Sequence, residues 1–143
     1  MTSRLSGVSG SGGPEIRVPV VSDPADPTLP PAVLVTVHDD APPGVLREVC
    51  AGAEEQGIPT AILGGPPTDA DGAGRHAAGE SRLEVGVGIG PDGAVVVRHA
   101  LVPDPVVRLD GGTPQARVRQ AGTDAARIVA GLPLSQGRLH QHP

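Results

Sequence analysis

The sequence predicts an α/β domain built on a mixed five-stranded sheet with helices packed against it, and three local patterns carry that reading. A β-branched run, Ala32-Val33-Leu34-Val35-Thr36-Val37, is followed by an amphipathic stretch and then by a second apolar run, Ile58-Pro59-Thr60-Ala61-Ile62-Leu63. Strand, helix and strand in that order imply a right-handed crossover and a parallel pair. Gly90-Pro91-Asp92-Gly93 separates two further apolar runs; Pro presets φ and Gly supplies the positive-φ position, so the chain returns antiparallel. An amphipathic segment running to Gly131 closes the domain.

The first strand reads as buried on both faces, because it is continuous rather than alternating. The helix after it opens near Pro43, a residue suited to the first turn. Val45, Leu46, Val49, Cys50 and Ala53 form its apolar face, and Gly57 is a plausible stop. Asp69 to Gly79 is alanine-rich and interrupted by glycine, consistent with a short helix. Arg82 to Ile89 alternates, with Leu83, Val85, Val87 and Ile89 on one face and Glu84, Gly86 and Gly88 on the other. So small a second face means that something packs close against the sheet there. Ala94 to His99 returns antiparallel, and Val106 to Leu109 is a fifth strand. In the last helix Thr113 is the expected N-cap, Pro114 the first helical residue, and Val118, Ala121, Ala125, Ile128 and Val129 the buried stripe.

Flanking segments differ in kind. Residues 1–31 are rich in Pro, Gly and Ser and are expected to be a disordered extension. Within them the apolar run Ile16 to Val21 is broken by Pro19 and is at best an edge strand. The folded domain is expected over 32–134, and 135–143 reads as a flexible polar tail.

Composition narrows the chemistry. The chain has no Phe, Trp or Tyr, a formal net charge of -5 and a pI near 5.4. It therefore has neither aromatic stacking platforms nor an attractive field for phosphate backbones, which argues against nucleic-acid binding. Its basic residues are all Arg, so Schiff-base and P-loop lysine chemistry are excluded. No apolar run is long enough for a bilayer span or a secretory h-region, and the one cysteine fits a reducing compartment. These features predict a soluble chain of the cytoplasm.

Candidate chemistry is sparse. His38-Asp39-Asp40 follows the first strand, where open α/β sheets place ligands, but the same residues suit a solvated turn entering a helix. His140 and His142 could chelate a divalent ion weakly; His76 and His99 have no evident acid partner. Cys50 falls on the apolar helix face and reads as a small hydrophobe. Gly86-Val87-Gly88-Ile89-Gly90 leads to a tight turn rather than a helix, so it fails as a phosphate loop. Glu54-Glu55 stands out. Carboxylates at a helix C-terminus are disfavoured by the macrodipole, which implies solvent exposure or a compensating partner. One exposed carboxylate also suffices as a ligand for Mg²⁺, which takes few protein ligands and keeps waters. With no self-sufficient active site in view, a subunit that works by contact is the better class of answer.

Several segments together resemble the small subunit of the reactivating factors of adenosylcobalamin-dependent diol and glycerol dehydratases. These are Leu46-Arg47-Glu48-Val49 with Gly52-Ala53-Glu54-Glu55-Gln56-Gly57-Ile58-Pro59, the Leu83 to Ile89 strand with its hairpin, and Leu101-Val102-Pro103. The last is Gln120-Ala121-Gly122-Thr123-Asp124-Ala125-Ala126-Arg127-Ile128-Val129-Ala130-Gly131-Leu132-Pro133.

The resemblance implies a three-layer fold like that of anticodon-binding domains, with strand order 2-1-3-4-5 and the fourth strand antiparallel. It implies a non-catalytic subunit that exchanges with the medium subunit of the dehydratase so that damaged cobalamin is released. The partner is a large ATPase subunit, in a two-plus-two hetero-tetramer, with the dehydratase large subunit contacted indirectly. ATP or ADP belongs to the large subunit alone, and Glu55, by motif position, gives a ligand to Mg²⁺ at the interface. The setting is the cytoplasm, free or inside a bacterial microcompartment. Two alternatives stay open beside it: a shortened dehydratase medium subunit, and a free-standing ligand- or RNA-binding α/β module.

Overall fold

A computed structural model describes residues 18–131 of the 143. Nine elements follow one another: β1 (Val20–Val21), β2 (Val33–Val37), α1 (Pro43–Glu55), β3 (Thr60–Leu63), α2 (Ala70–Glu80), β4 (Val85–Ile89), β5 (Val95–His99), β6 (Val107–Leu109) and α3 (Gln115–Ala130). The strands form one sheet in the order β1-β3-β2-β4-β5-β6. Neighbours are parallel from β1 to β4, and β5 runs antiparallel to both β4 and β6. The expected order 2-1-3-4-5 is therefore present as β3-β2-β4-β5-β6, with the hairpin at Gly93 (φ 88) reversing the chain.

The sixth strand is a correction. Residues 18–31 do not stand apart as a disordered extension: Val20 and Val21 pair with Ile62 and Leu63, and the Ile62 amide donates to the Pro19 carbonyl at 2.8 Å. Pro19 interrupts donation from this strand, yet its carbonyl still serves as an acceptor, which is all an edge requires. Arg82 then holds the return of the segment, its Nη2 donating to the carbonyls of Asp26 and Leu29. Residues 1–17, and the tail expected over 135–143, lie outside the described residues.

Two of the three layers are helical. Val33, Val35, Val85, Val87, Ile89, Val95 and Val97 face α1 and α3, meeting Val49, Cys50, Val118, Ala121 and Ala125 in the main core. On the other face Leu34, Ala61 and Leu63 meet α2 at Ala77. The glycines of β4 explain how close α2 lies. A methyl group at Gly86 would overlap the backbone of Ala77 and Ala78, and one at Gly88 the Ala70 carbonyl and the Gly74 amide. The expected close-packed face is thus real, and α2 fills it.

Local boundaries shift for identifiable reasons. β4 begins at Val85 because Ser81 to Glu84 form a turn, with Glu84 at φ 65 and its amide bonded to the Ser81 carbonyl. Thr113 does not cap α3: its hydroxyl donates to the Asp110 carbonyl at 2.6 Å, and Pro114 is the capping residue. At the other end Gly131 closes α3 in a left-handed conformation.

Candidate functional site

α1 and α3 cross on one face of the sheet with almost no space between their backbones. A methyl group on Gly52 would overlap the Arg119 carbonyl, and one on Gly122 the Val49 carbonyl. The Thr123 hydroxyl donates to the Gly52 carbonyl at 3.3 Å across the crossing. This contact fixes where α3 presents Arg119. On α1, Glu48 and Glu55 are separated by seven residues, two helical turns, and so lie along one line of the surface. Arg119 reaches over that line. Its Nε is 3.4 Å from Glu48 Oε1 and its Nη1 is 3.6 Å from Glu55 Oε2.

The two terminal glutamates of α1 therefore have different partners. Glu54 Oε2 accepts from the Thr60 hydroxyl at 3.4 Å, whereas Glu55 turns toward α3. Both the exposure and the compensating partner expected from the helix macrodipole are present: the Glu55 side chain is 54% exposed and a cation stands beside it. Its carboxylate is within ion-pair range of Arg119 but not bound in a short hydrogen bond, so it retains the lone pairs that one ligand to Mg²⁺ needs. Sequence reasoning singled out Glu55 and did not reach Arg119 or Glu48. The seven-residue spacing on α1 was a signal, but the cation comes from a helix far along the chain.

A second polar cluster lies on the α2 side. Arg98 on β5 is 7% exposed; its Nε is 2.9 Å from Asp71 Oδ1, and its Nη1 donates to the Pro103 carbonyl at 3.0 Å. Arg75, one turn along α2 from Asp71, is 2.8 Å from Asp71 Oδ2. The arginine thereby ties the β5–β6 loop to α2, and the loop projects Leu101, 74% exposed, and Val102 into solvent.

The other candidates resolve into local structure. His38 Nδ1 accepts the Asp40 backbone amide at 3.0 Å, the geometry of a turn. With Thr36, Asp39, Gly65 and Thr68 it lines a shallow depression of about 80 Å³ at the carboxyl ends of β2 and β3. His76 Nε2 is 3.1 Å from the Gly64 carbonyl. His99 does have an acid neighbour, Glu84, at 3.9 Å, and its Nδ1 accepts the Leu101 amide. Cys50 is fully buried, and burial, with the neighbouring Glu54 charge adding to it, pushes its thiol up to about 11 against a hydrogen bond with Thr60 that acts the other way. His140 and His142 lie outside the described residues. Among the described residues no three His, Cys, Asp or Glu side chains converge as a metal-binding group, and no helix is long and apolar enough to cross a membrane.

Comparison with known proteins follows the same outline. The sequence profile of the dehydratase medium subunit family matches residues 30–135. The probable glycerol dehydratase-reactivating factor small subunit of Citrobacter freundii is 36% identical over 95 residues, covering 64% of this chain and 81% of that protein. The propanediol dehydratase-reactivating factor small subunit of Salmonella typhimurium is 32% identical over 106 residues, covering 73% and 90%. Among solved structures, a chain of a glycerol dehydratase reactivase superposes with a TM-score of 0.71 at 32% identity, covering 74% of this chain and 97% of the other. A chain of a diol dehydratase-reactivating factor complexed with ADP and Mg²⁺ gives 0.67 at 31% identity, covering 74% and 98%. Matched at this identity over nearly the whole of its relatives, the chain belongs to the dehydratase medium subunit family and groups there with the small subunits of dehydratase-reactivating factors.

Proposed function

We propose that this chain is the small subunit of an ATP-dependent factor that reactivates an adenosylcobalamin-dependent diol or glycerol dehydratase. The observation that carries the reading is the alignment with two reactivating-factor small subunits over 81% and 90% of their lengths. In this reading the chain does no bond chemistry. It binds a large ATPase subunit, in two copies of each, and leaves it to take the place of the dehydratase medium subunit, which opens the enzyme to loss of damaged cobalamin. Nucleotide stays on the large subunit.

Exchange requires an interface that holds and releases, which favours charged contacts over a wholly apolar surface. Glu55 supplies such a contact. It stands at the end of a helix fixed by the α1–α3 crossing, is half exposed, and offers one carboxylate. A Mg²⁺ ion held there would give a charge bridge between Glu55 and acidic or phosphate oxygens of the partner.

Native mass spectrometry of this chain mixed with the large ATPase subunit and Mg²⁺-ADP tests the reading. A discrete complex with two copies of each subunit is the expected result. A well-folded chain that forms no complex overturns it. The family name raises a second reading, a dehydratase medium subunit, and that reading requires binding to the dehydratase large subunit instead.

A further inference from the structure

From the ion pairs on the α1–α3 surface we infer that Arg119 is a built-in competitor for the divalent cation at Glu55, and that Glu48 sets the strength of the competition. The inference rests on the reading of Glu55 as an interface ligand and adds the regulation of that contact. Arg119 Nη1 is 3.6 Å from Glu55 Oε2, on the carboxylate that a cation would need. A guanidinium and a hydrated divalent ion cannot both approach that oxygen at coordinating distance, because their like charges repel. Glu48 holds the same guanidinium at Nε, 3.4 Å away, and is the less exposed of the two carboxylates, 18% against 54%. It is therefore the stronger anchor, to which Arg119 retreats when Glu55 changes partner.

Two consequences follow for the free subunit. Glu55 keeps a neutralising partner while the chain is detached, so detachment does not strand a carboxylate at a helix C-terminus. Capture of Glu55 by the metal then requires only a side-chain movement of Arg119, since its backbone is fixed against Gly52. The contact is set to be exchanged, not permanent.

The test measures association of the full chain with the large ATPase subunit at graded MgCl₂ concentrations, by calorimetry or surface binding. Arg119→Gln should lower the Mg²⁺ concentration for half-maximal association by about two- to fivefold, the range for one exposed pair. Arg119→Lys, which keeps the charge, should shift it less. Glu48→Gln should move it the other way, because Arg119 then falls to Glu55 alone; a merely structural role for these residues would not produce opposite signs. Melting curves of the isolated variants establish that each is folded. Glu55→Gln separates the two layers of argument. If it leaves the Mg²⁺ dependence intact, the ligand role of Glu55 fails and this inference with it. If it abolishes the dependence while Arg119→Gln shifts nothing, or weakens association at every Mg²⁺ concentration, the competitor role alone is overturned.

Discussion

Arg98 on β5 and Asp71 on α2 meet through a single oxygen: both Nε and Nη2 of the arginine lie within 3 Å of Asp71 Oδ1, at 2.9 and 2.8 Å. The pair joins the sheet to its outer helix, and Arg98 also holds the Pro103 carbonyl. Removing the carboxylate strands a cation that is only 7% exposed, whereas removing the arginine leaves Asp71 with Arg75. Asp71→Ala should therefore cost about 3 kcal/mol in urea unfolding, and Arg98→Met distinctly less. Equal losses would mean that Arg75 does not compensate Asp71 when Arg98 is removed.

The same pair gives the protein an acid limb. Burial acts to raise the Asp71 pKa, but hydrogen bonds and charges from Arg75 and Arg98 outweigh it and hold the carboxyl below its ordinary 3.8. A carboxyl depressed in the folded state stabilises the fold fully above its unfolded value, and that contribution is lost as pH falls through the folded one. Stability measured downward from pH 5 should fall more steeply in the parent chain than in Asp71→Ala. Parallel curves would remove Asp71 from the acid response.

Glycines on the α2 side separate into those that packing requires and those that it does not. Gly88→Ala forces a methyl group into the backbone of Ala70 and Gly74, and a loss of at least about 2 kcal/mol is expected. Gly79→Ala meets nothing within 4 Å on the last turn of the same helix, and it should add up to about 1 kcal/mol. Chemical denaturation of the two variants provides the check.

Cys50 is fully buried, with its thiol pushed up to about 11 by burial. At pH 8 the thiolate fraction alone should slow its reaction with a disulfide reagent by on the order of a hundredfold relative to the unfolded chain. Labelling of the native protein at the unfolded rate would place the thiol in solvent.

Truncation addresses the N-terminal segment. A chain lacking residues 1–31 loses β1 and the carbonyls that Arg82 binds, whereas one lacking residues 1–17 keeps both. The longer deletion should melt lower than the shorter by on the order of 5 °C. Coincident melting curves would show that β1 adds nothing to the domain.

Much of this architecture was legible from local patterns, because each feature was written in adjacent residues. The β2-α1-β3 crossover followed from two apolar runs around an amphipathic one, the hairpin from Pro91-Asp92-Gly93, and a close-packed sheet face from the missing side chains at Gly86 and Gly88, though not that α2 fills it. β1 was harder to see: two residues after a proline carry little signal, and the strand exists because β3 offers it an edge. The inward turn of Arg98 was equally hidden, since Asp71 is 27 residues away and only the sheet–helix contact brings the two together. At the candidate site Glu55 could be found on its helix, while Arg119 became visible only once Gly52 and Gly122 were seen to press α1 against α3.

That crossing has a mechanical consequence. With main chain resting on main chain at Gly52 and Gly122, the two helices have no cushion of side chains to absorb displacement. A pull applied at Glu55 is transmitted as leverage to the whole of α3 and, through Val118, Ala121 and Ala125, to the centre of the sheet. The domain thus behaves as a stiff tile, with adjustment confined to the side chains at its rim.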